Sequence, residues 1–343
     1  MAEATERIET PRPRAIYWVV SLGLAGVFLY YSLRGIDWGS VWTTLKSARP
    51  LVVVLAAGIM STTLFLRSFR WRVLLSSRQR VSVPLAFWAT SAGYLGNNVL
   101  PARAGEVVRT LMISRRSGMS KAFVLTTALS ERVVDAIALI TISAVVLLTL
   151  PTQSGWLAHA ARPFAILGLA GAAAIAVLPA FEAFWFRFLA RIPLPARLRH
   201  PIENILAQVL EGIRSFHDPG RLARFLALTA VIWILDGITT VVASSAIGVS
   251  IPVPVAFLLV AGLGLGSALP STPGYFGIYQ IVAEKVLEPF GISHESAIAY
   301  SFLFQAMNLA VVLFWGLLGI AAERQRSAPV SPAMVTTPQA ESD

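Results

Sequence analysis

The chain has 343 residues, 56% hydrophobic and 13% charged, with a mean hydropathy of +0.68 and a net charge of +10. Soluble domains carry about 25% charged residues, so this composition excludes a soluble globular protein and points to an integral membrane protein. The absence of cysteine excludes disulfides and thiolate chemistry. The positive excess, scattered between apolar runs, fits loop topology and anionic headgroups rather than nucleic acid.

A helix crossing about 30 Å of hydrocarbon needs about 20 apolar residues. Six segments are read as full spans: Ile16 to Leu33, Leu51 to Leu66, Ser120 to Leu150, Pro163 to Phe181, Phe225 to Ile247 and Ala297 to Ala321. The first lacks a small-residue cleavage site and is read as a retained helix. Two further stretches, Val83 to Leu100 and Val253 to Leu269, run into LPARAG at 100–105 and LPSTPG at 269–274. Proline removes a backbone donor and breaks a helix, so both stretches are expected to be re-entrant hairpins, with Pro101, Gly105, Pro270, Pro273 and Gly274 forming the turns.

Charge asymmetry agrees with that count. With both hairpins re-entrant, the inside segments hold 22 Lys and Arg, among them five in residues 67–82 and five in 101–121. The outside segments hold five, and Arg132 is the one such residue placed within a span. The bias predicts cytoplasmic N and C termini.

The hairpins also match each other. Pro84, Ala86 and Phe87 align with Pro254, Ala256 and Phe257, while Ala92, Gly93, Leu100, Pro101 and Gly105 align with Ala261, Gly262, Leu269, Pro270 and Gly274. Further on, GMS at 118–120 meets GIS at 291–293, which sets Gln305 opposite Arg132 and Asn308 opposite Asp135. The single span between the copies reverses the second one. The predicted fold is all-α integral membrane: six full transmembrane helices plus two re-entrant hairpins in an inverted repeat, a plan that recurs in alternating-access transporters. Residues 1–325 form one polytopic domain, with repeats over 51–150 and 225–321, and 326–343 are expected to be a disordered cytoplasmic tail.

NNVLPARAGEVVR at 97–109, SERVVD at 130–135, PSTPGYFGIYQ at 270–280 and RSFRWRVLL at 67–75 resemble the membrane domain of lysylphosphatidylglycerol synthetases and their stand-alone, flippase-like bacterial relatives. The resemblance covers about residues 10–325 and implies moving a lipid, or handling lipid-linked material, between leaflets. The family's synthetases carry a separate soluble aminoacyl-transfer domain; none follows Ala321 here, so aminoacyl transfer is not expected. Gln280 stands where relatives often have an acid, which predicts an uncharged outer hairpin.

The candidate site follows from where polar residues enter apolar chain. Asn97 and Asn98 are expected to face a polar cavity, with Arg103, Glu106 and Arg109 at its mouth; guanidinium groups suit phosphate through bidentate hydrogen bonds. The alternative is a solvated loop that enforces topology. Ala136 to Leu150 reaches only about 22 Å, so Glu131, Arg132 and Asp135 must enter the membrane on one helix face, as substrate contacts or as an internal structural network. Asp236 is an intramembrane acid with the same two readings. Gln305 and Asn308 complete the set as weaker outer counterparts. GLGLG at 262–266 is read as close helix packing rather than a dinucleotide loop. The four dispersed histidines show no metal spacing, and no cofactor or catalytic residue is expected. Residues 182–224, arginines interleaved with Phe, Trp and Leu, read as an interfacial amphipathic segment.

Together these features predict translocation of a phospholipid or lipid-linked anionic substrate across the bacterial cytoplasmic membrane by a protein that is not an enzyme. Its partners are membrane lipids with anionic headgroups, and a homo-oligomer is left open. The alternatives are a membrane-embedded enzyme acting on a lipid-linked substrate, using Glu106, Glu131 or Asp135 as acid and base, and a small-solute secondary transporter.

Overall fold

The computed structural model describes residues 26–100, 104–149, 156–177, 218–267 and 273–327, together with isolated positions between them. All regular elements among these residues are helices. Residues 26–33 are helical and lead to α1 (Trp38–Lys46), α2 (Pro50–Leu75), α3 (Val83–Val99), α4 (Gly105–Ser117), α5 (Lys121–Thr149) and α6 (Trp156–Val177). After 218 follow α7 (Pro219–Ala246), α8 (Val253–Gly266), a 3₁₀ turn at Pro273–Tyr275, α9 (Ile278–Leu287) and α10 (His294–Ser327). Helices α2, α5, α7 and α10 are long and apolar enough to cross a membrane.

The sequence sets many of these boundaries locally. Proline occupies the first turn of α2, α3, α7 and α8, where its missing N–H costs nothing. Asp218 caps α7 by accepting from the Arg221 amide at 2.6 Å. Gly118 closes α4 in a left-handed conformation, φ +73.

The order long, short, short, long occurs twice, as α2–α5 and as α7–α10. In each case the short helices fold back on one another. In the first hairpin, a Cβ added at Gly105 would lie 1.8 Å from the Gly93 carbonyl oxygen and 2.5 Å from the Asn97 amide nitrogen, so only glycine permits this approach. In the second, Gly266 faces Ile278 and Val282, and Gly262 faces Val282 and Val286. Gly264 faces Leu139 of α5 instead, so the GLGLG run sets two close helix contacts on opposite sides.

Each hairpin also packs on the last helix of the other half: α3 on α10 and α8 on α5. Gly316 and Gly319 admit Leu95 and the Trp88 backbone at the first crossing. Helices α2 and α7 pack along each other between the halves.

Four expectations need correction. The second span does not end at Leu66, because α2 continues to Leu75 and carries Arg67 and Arg70 inside the protein. Arg132 is therefore not the lone basic residue within a span. Arg70 and Arg109 are buried in helices and Arg67 is half-buried in α2, so the three do not belong among the 22 inside loop charges; 19 against five still gives the same bias. The tail cannot begin at 326, because α10 runs to Ser327. The first span before residue 26 and most of 182–224 lie outside the described residues.

Candidate functional site

Helix α2 presents Arg67, Arg70 and Trp71 because no glycine or proline interrupts its 3.6-residue period between Met60 and Leu75. Arg70, fully buried, donates through Nη1 and Nη2 to the two carboxylate oxygens of Asp135 at 2.6 and 2.8 Å. Its Nε and Nη2 also reach Glu131 Oε1 at 3.1 and 2.9 Å, and Nη1 reaches the Thr229 hydroxyl at 3.2 Å. From the first hairpin, Arg109 donates to Glu131 Oε2 at 2.9 Å and to Glu106 Oε2 at 2.5 Å. Arg132 donates to Glu106 Oε1 at 2.9 Å and stands 3.7 Å from Asp135.

The six groups thus form a closed ring of alternating charge: Arg70, Glu131, Arg109, Glu106, Arg132, Asp135. Every carboxylate has two guanidinium neighbours, which offsets the cost of holding ions away from water. Aromatic faces back the cations: Arg109 lies over Trp71 at 4.5 Å and Arg70 over Phe225 at 5.1 Å. Outside the ring stands a separate pair between the two halves, Arg67 of α2 donating to Asp236 of α7 at 2.6 Å.

Ring and pair border a central cavity of about 260 Å³. Arg67, Tyr94, Asn98, Arg132, Asp135, Trp233, Asp236, Tyr275, Tyr279 and Asn308 all line it. Two buried donors at its wall have no hydrogen-bond partner among the described residues, Arg132 Nη2 and Trp233 Nε1. Arg132 Nη1 donates to the Tyr94 hydroxyl at 3.3 Å. The unmatched polarity of the wall is therefore of donor type, which suits a ligand rich in oxygen acceptors.

The sequence-derived residues divide accordingly. Asn98, Arg132, Asp135, Asp236 and Asn308 reach the cavity, and Asn308 donates to Asn98 Oδ1 at 3.4 Å, joining the two halves. Glu106, Arg109 and Glu131 lie behind its wall. Glu106 and Arg109 are thus not at a solvated mouth: they are buried, held in the ring by partners from α5. Asn97 donates to Glu106 Oε1 at 3.2 Å. Gln305 is buried behind the second hairpin, donating to the Gly274 carbonyl and accepting from Gln280 at 2.9 Å. Gln280 Oε1 in turn accepts from the Gly277 amide at 2.8 Å.

Pro273 and Gly274 sit in the 3₁₀ turn, with φ +74 at Gly274 and +62 at Tyr275. Pro101, Arg103 and Pro270 lie outside the described residues. The second hairpin is not uncharged, however. Glu284 of α9 is buried, bound by Lys285 at 2.6 Å, with His294 Nε2 3.9 Å away.

Sequence reading missed Arg67, Arg70, Tyr94 and Trp233. The signal for the arginines was present: Arg67, Arg70 and Trp71 lie on one helical face, and no glycine or proline falls between Met60 and Leu75. Among the described residues no group of three His, Cys, Asp or Glu is placed to hold a metal ion.

Residues 18–316 match the family described as the lysylphosphatidylglycerol synthase TM region. The chain is also 28% identical to the protein named Glycosyltransferase AglD of Haloferax volcanii, over 86% of this chain and 52% of that one. It spans about half the length of the curated relative it matches. That relative bears the name of a group-transferring enzyme, which overturns the expectation of a non-enzymatic protein. On the extent of the family match, this helical, multi-pass membrane chain belongs to the family of lysylphosphatidylglycerol synthase transmembrane regions.

Proposed function

We propose that the chain takes the phosphate-bearing headgroup of a lipid or lipid-linked substrate into the central cavity and passes it between the leaflets of a bacterial cytoplasmic membrane. The observation that carries this reading is the pair of unmatched buried donors, Arg132 Nη2 and Trp233 Nε1, at the wall of a cavity walled by both halves. Phosphate oxygens accept from both donor types, and acyl or polyprenyl chains stay in hydrocarbon while the headgroup occupies the polar site.

The helical geometry supports the transport part. At 1.5 Å per residue the four short helices are between about 15 and 25 Å long, less than the hydrocarbon thickness. In this reading they are re-entrant hairpins entering from opposite faces, and six spans complete an inverted repeat with both termini cytoplasmic. Rocking of the halves about the α2–α7 contact exposes the cavity to each side in turn. Asn98, Arg132, Asp135, Asp236 and Asn308 contact the headgroup, and Glu106, Arg109, Glu131, Asn97 and Gln305 hold those contacts in place. In this reading Arg103 captures the lipid.

The test is leaflet exchange of labelled phosphatidylglycerol in vesicles containing the purified protein. Trp233→Phe keeps the ring and deletes the N–H; Arg132→Gln deletes the charge. Loss of a hydrogen bond to a charged group costs about 1.5 to 3 kcal/mol, so Arg132→Gln should slow exchange by more than tenfold. Parental rates in both folded variants would remove the headgroup from this cavity.

A second reading is favoured by the relative named a glycosyltransferase. Here the same cavity holds a lipid-linked phosphate as a participant in sugar transfer, with Asp135 or Asp236 as acid or base. Sugar transfer to a polyprenyl phosphate by the purified chain, lost in Asp135→Asn, would select it.

A further inference from the structure

The Arg67–Asp236 pair differs from the six-membered ring in how its carboxylate is held. Asp135 is bound by Arg70 through both oxygens and flanked by Arg132, so releasing it would open the ring. Asp236 meets one guanidinium, at 2.6 Å, across the boundary between the two halves. Arg67 has supports independent of Asp236, because its guanidinium lies 5.0 Å from the Trp233 ring centroid and 5.9 Å from that of Tyr94. Those faces hold the cation in place when its carboxylate moves away.

Arg67, Trp233 and Asp236 all line the cavity, and the unpartnered Trp233 Nε1 stands beside the cation. Other groups around Asp236 are fixed or neutral. From α2 come Arg67 and the ring-bound Arg70, from α5 Asp135 and Arg132, and from α3 Tyr94. Helices α8 and α10 add Val260, Leu263, Phe304 and Asn308, and the second hairpin adds Tyr275 and Tyr279.

We propose that Asp236 is a proton-coupling group: an incoming phosphodiester displaces its carboxylate from Arg67, and the freed carboxylate takes up a proton from water. This rests on the lipid-translocation reading of the same cavity. One O–H bond forms on Asp236 and one breaks on the hydronium ion or buffer acid that supplies the proton; no bond of the lipid changes. The phosphodiester keeps its single negative charge and replaces the carboxylate as the partner of Arg67.

The empty site holds one cation and one anion; the loaded site holds Arg67, the phosphodiester and a neutral Asp236. Both are neutral, so neither state moves net charge through the membrane. An unprotonated Asp236 in the loaded site would leave an uncompensated buried anion, which proteins avoid by protonation. One lipid anion therefore travels with one proton, and exchange responds to a pH gradient and not to a membrane potential.

Two measurements with phosphatidylglycerol test this, since its phosphodiester stays singly ionised across the neutral range. In vesicles containing the protein, with protein-free vesicles as control, the leaflet ratio should approach about a tenfold shift per pH unit of gradient. An imposed potential should leave it unchanged, whereas uncoupled movement of the anion would shift it about 50-fold per 100 mV. In detergent, binding should take up about one proton per lipid, read with an indicator dye. Asp236→Asn should abolish that uptake, and Asp236→Glu should restore it.

Exchange that follows the potential, or neither gradient, overturns the coupling while leaving translocation standing. Equal proton uptake by Asp236→Asn and the parent overturns the role of Asp236. Absence of both binding and exchange overturns the translocation reading, and the coupling with it.

Discussion

Arg70 and Asp135, 65 positions apart in sequence, meet through two parallel hydrogen bonds of 2.6 and 2.8 Å, with the arginine fully buried. Deleting one partner of a buried pair leaves an uncompensated charge, which costs about 3 to 5 kcal/mol. Arg70→Ala should therefore lower thermal stability strongly, as read by size-exclusion after heating. Arg70→Lys should not rescue it, because an ammonium cannot satisfy Glu131 and Asp135 together. A lysine variant with parental stability would show that point charge alone suffices.

Gly105 packs against Gly93 and Asn97 so tightly that any Cβ overlaps backbone atoms. Gly105→Ala should destabilise by at least about 1 to 3 kcal/mol, the range typical of overpacking, since backbone and not a flexible side chain must shift. Gly58, within α2 and with open space around it, is the control. Gly58→Ala should be neutral or stabilising by up to about 1 kcal/mol from helix propensity. Equal unfolding temperatures for the two variants would contradict the hairpin packing.

Asp37 caps α1, accepting from Ser40 Oγ at 2.5 Å and from the Gly39 amide at 2.9 Å. The Ser40 hydrogen bond, then that of Gly39, holds its carboxyl below the ordinary value of 3.8. A depressed folded value means the cap's contribution is present above the unfolded value and is lost as pH falls through the folded one. Hydrogen exchange of the α1 amides should therefore be constant at neutral pH, after correction for intrinsic rates, and lose protection only below about pH 4. Asp37→Asn should remove that acid dependence; if it persists, another group is responsible.

The hairpin reading fixes sidedness. Ser76, at the end of α2, and Ser120, before α5, should lie on one face and Ser293, before α10, on the other; all three are exposed. Single cysteines at these positions in the cysteine-free chain should be labelled by an impermeant reagent from opposite sides. Labelling of Ser76→Cys and Ser293→Cys from the same side would overturn the inverted arrangement.

Much of this architecture is legible from residue order alone. Apolar runs interrupted by LPARAG and LPSTPG mark where helices must stop, because proline cannot donate and backbone groups in hydrocarbon need partners. The same logic finds Glu131, Arg132, Asp135 and Asp236, since an ion in an apolar run must face protein. What residue order leaves open is which ions belong to loops. Arg67 and Arg70 look like topology signals in sequence, Arg109 looks like a residue of a cavity mouth, and Glu284 escapes notice beside Gln280. Only tertiary structure brings Glu131 of α5 between Arg70 of α2 and Arg109 of α4, closing a ring whose members stand up to 65 positions apart. A charge is stable inside a membrane only if other helices supply its counter-ions, and that supply is a property of packing, not of the segment that carries the charge.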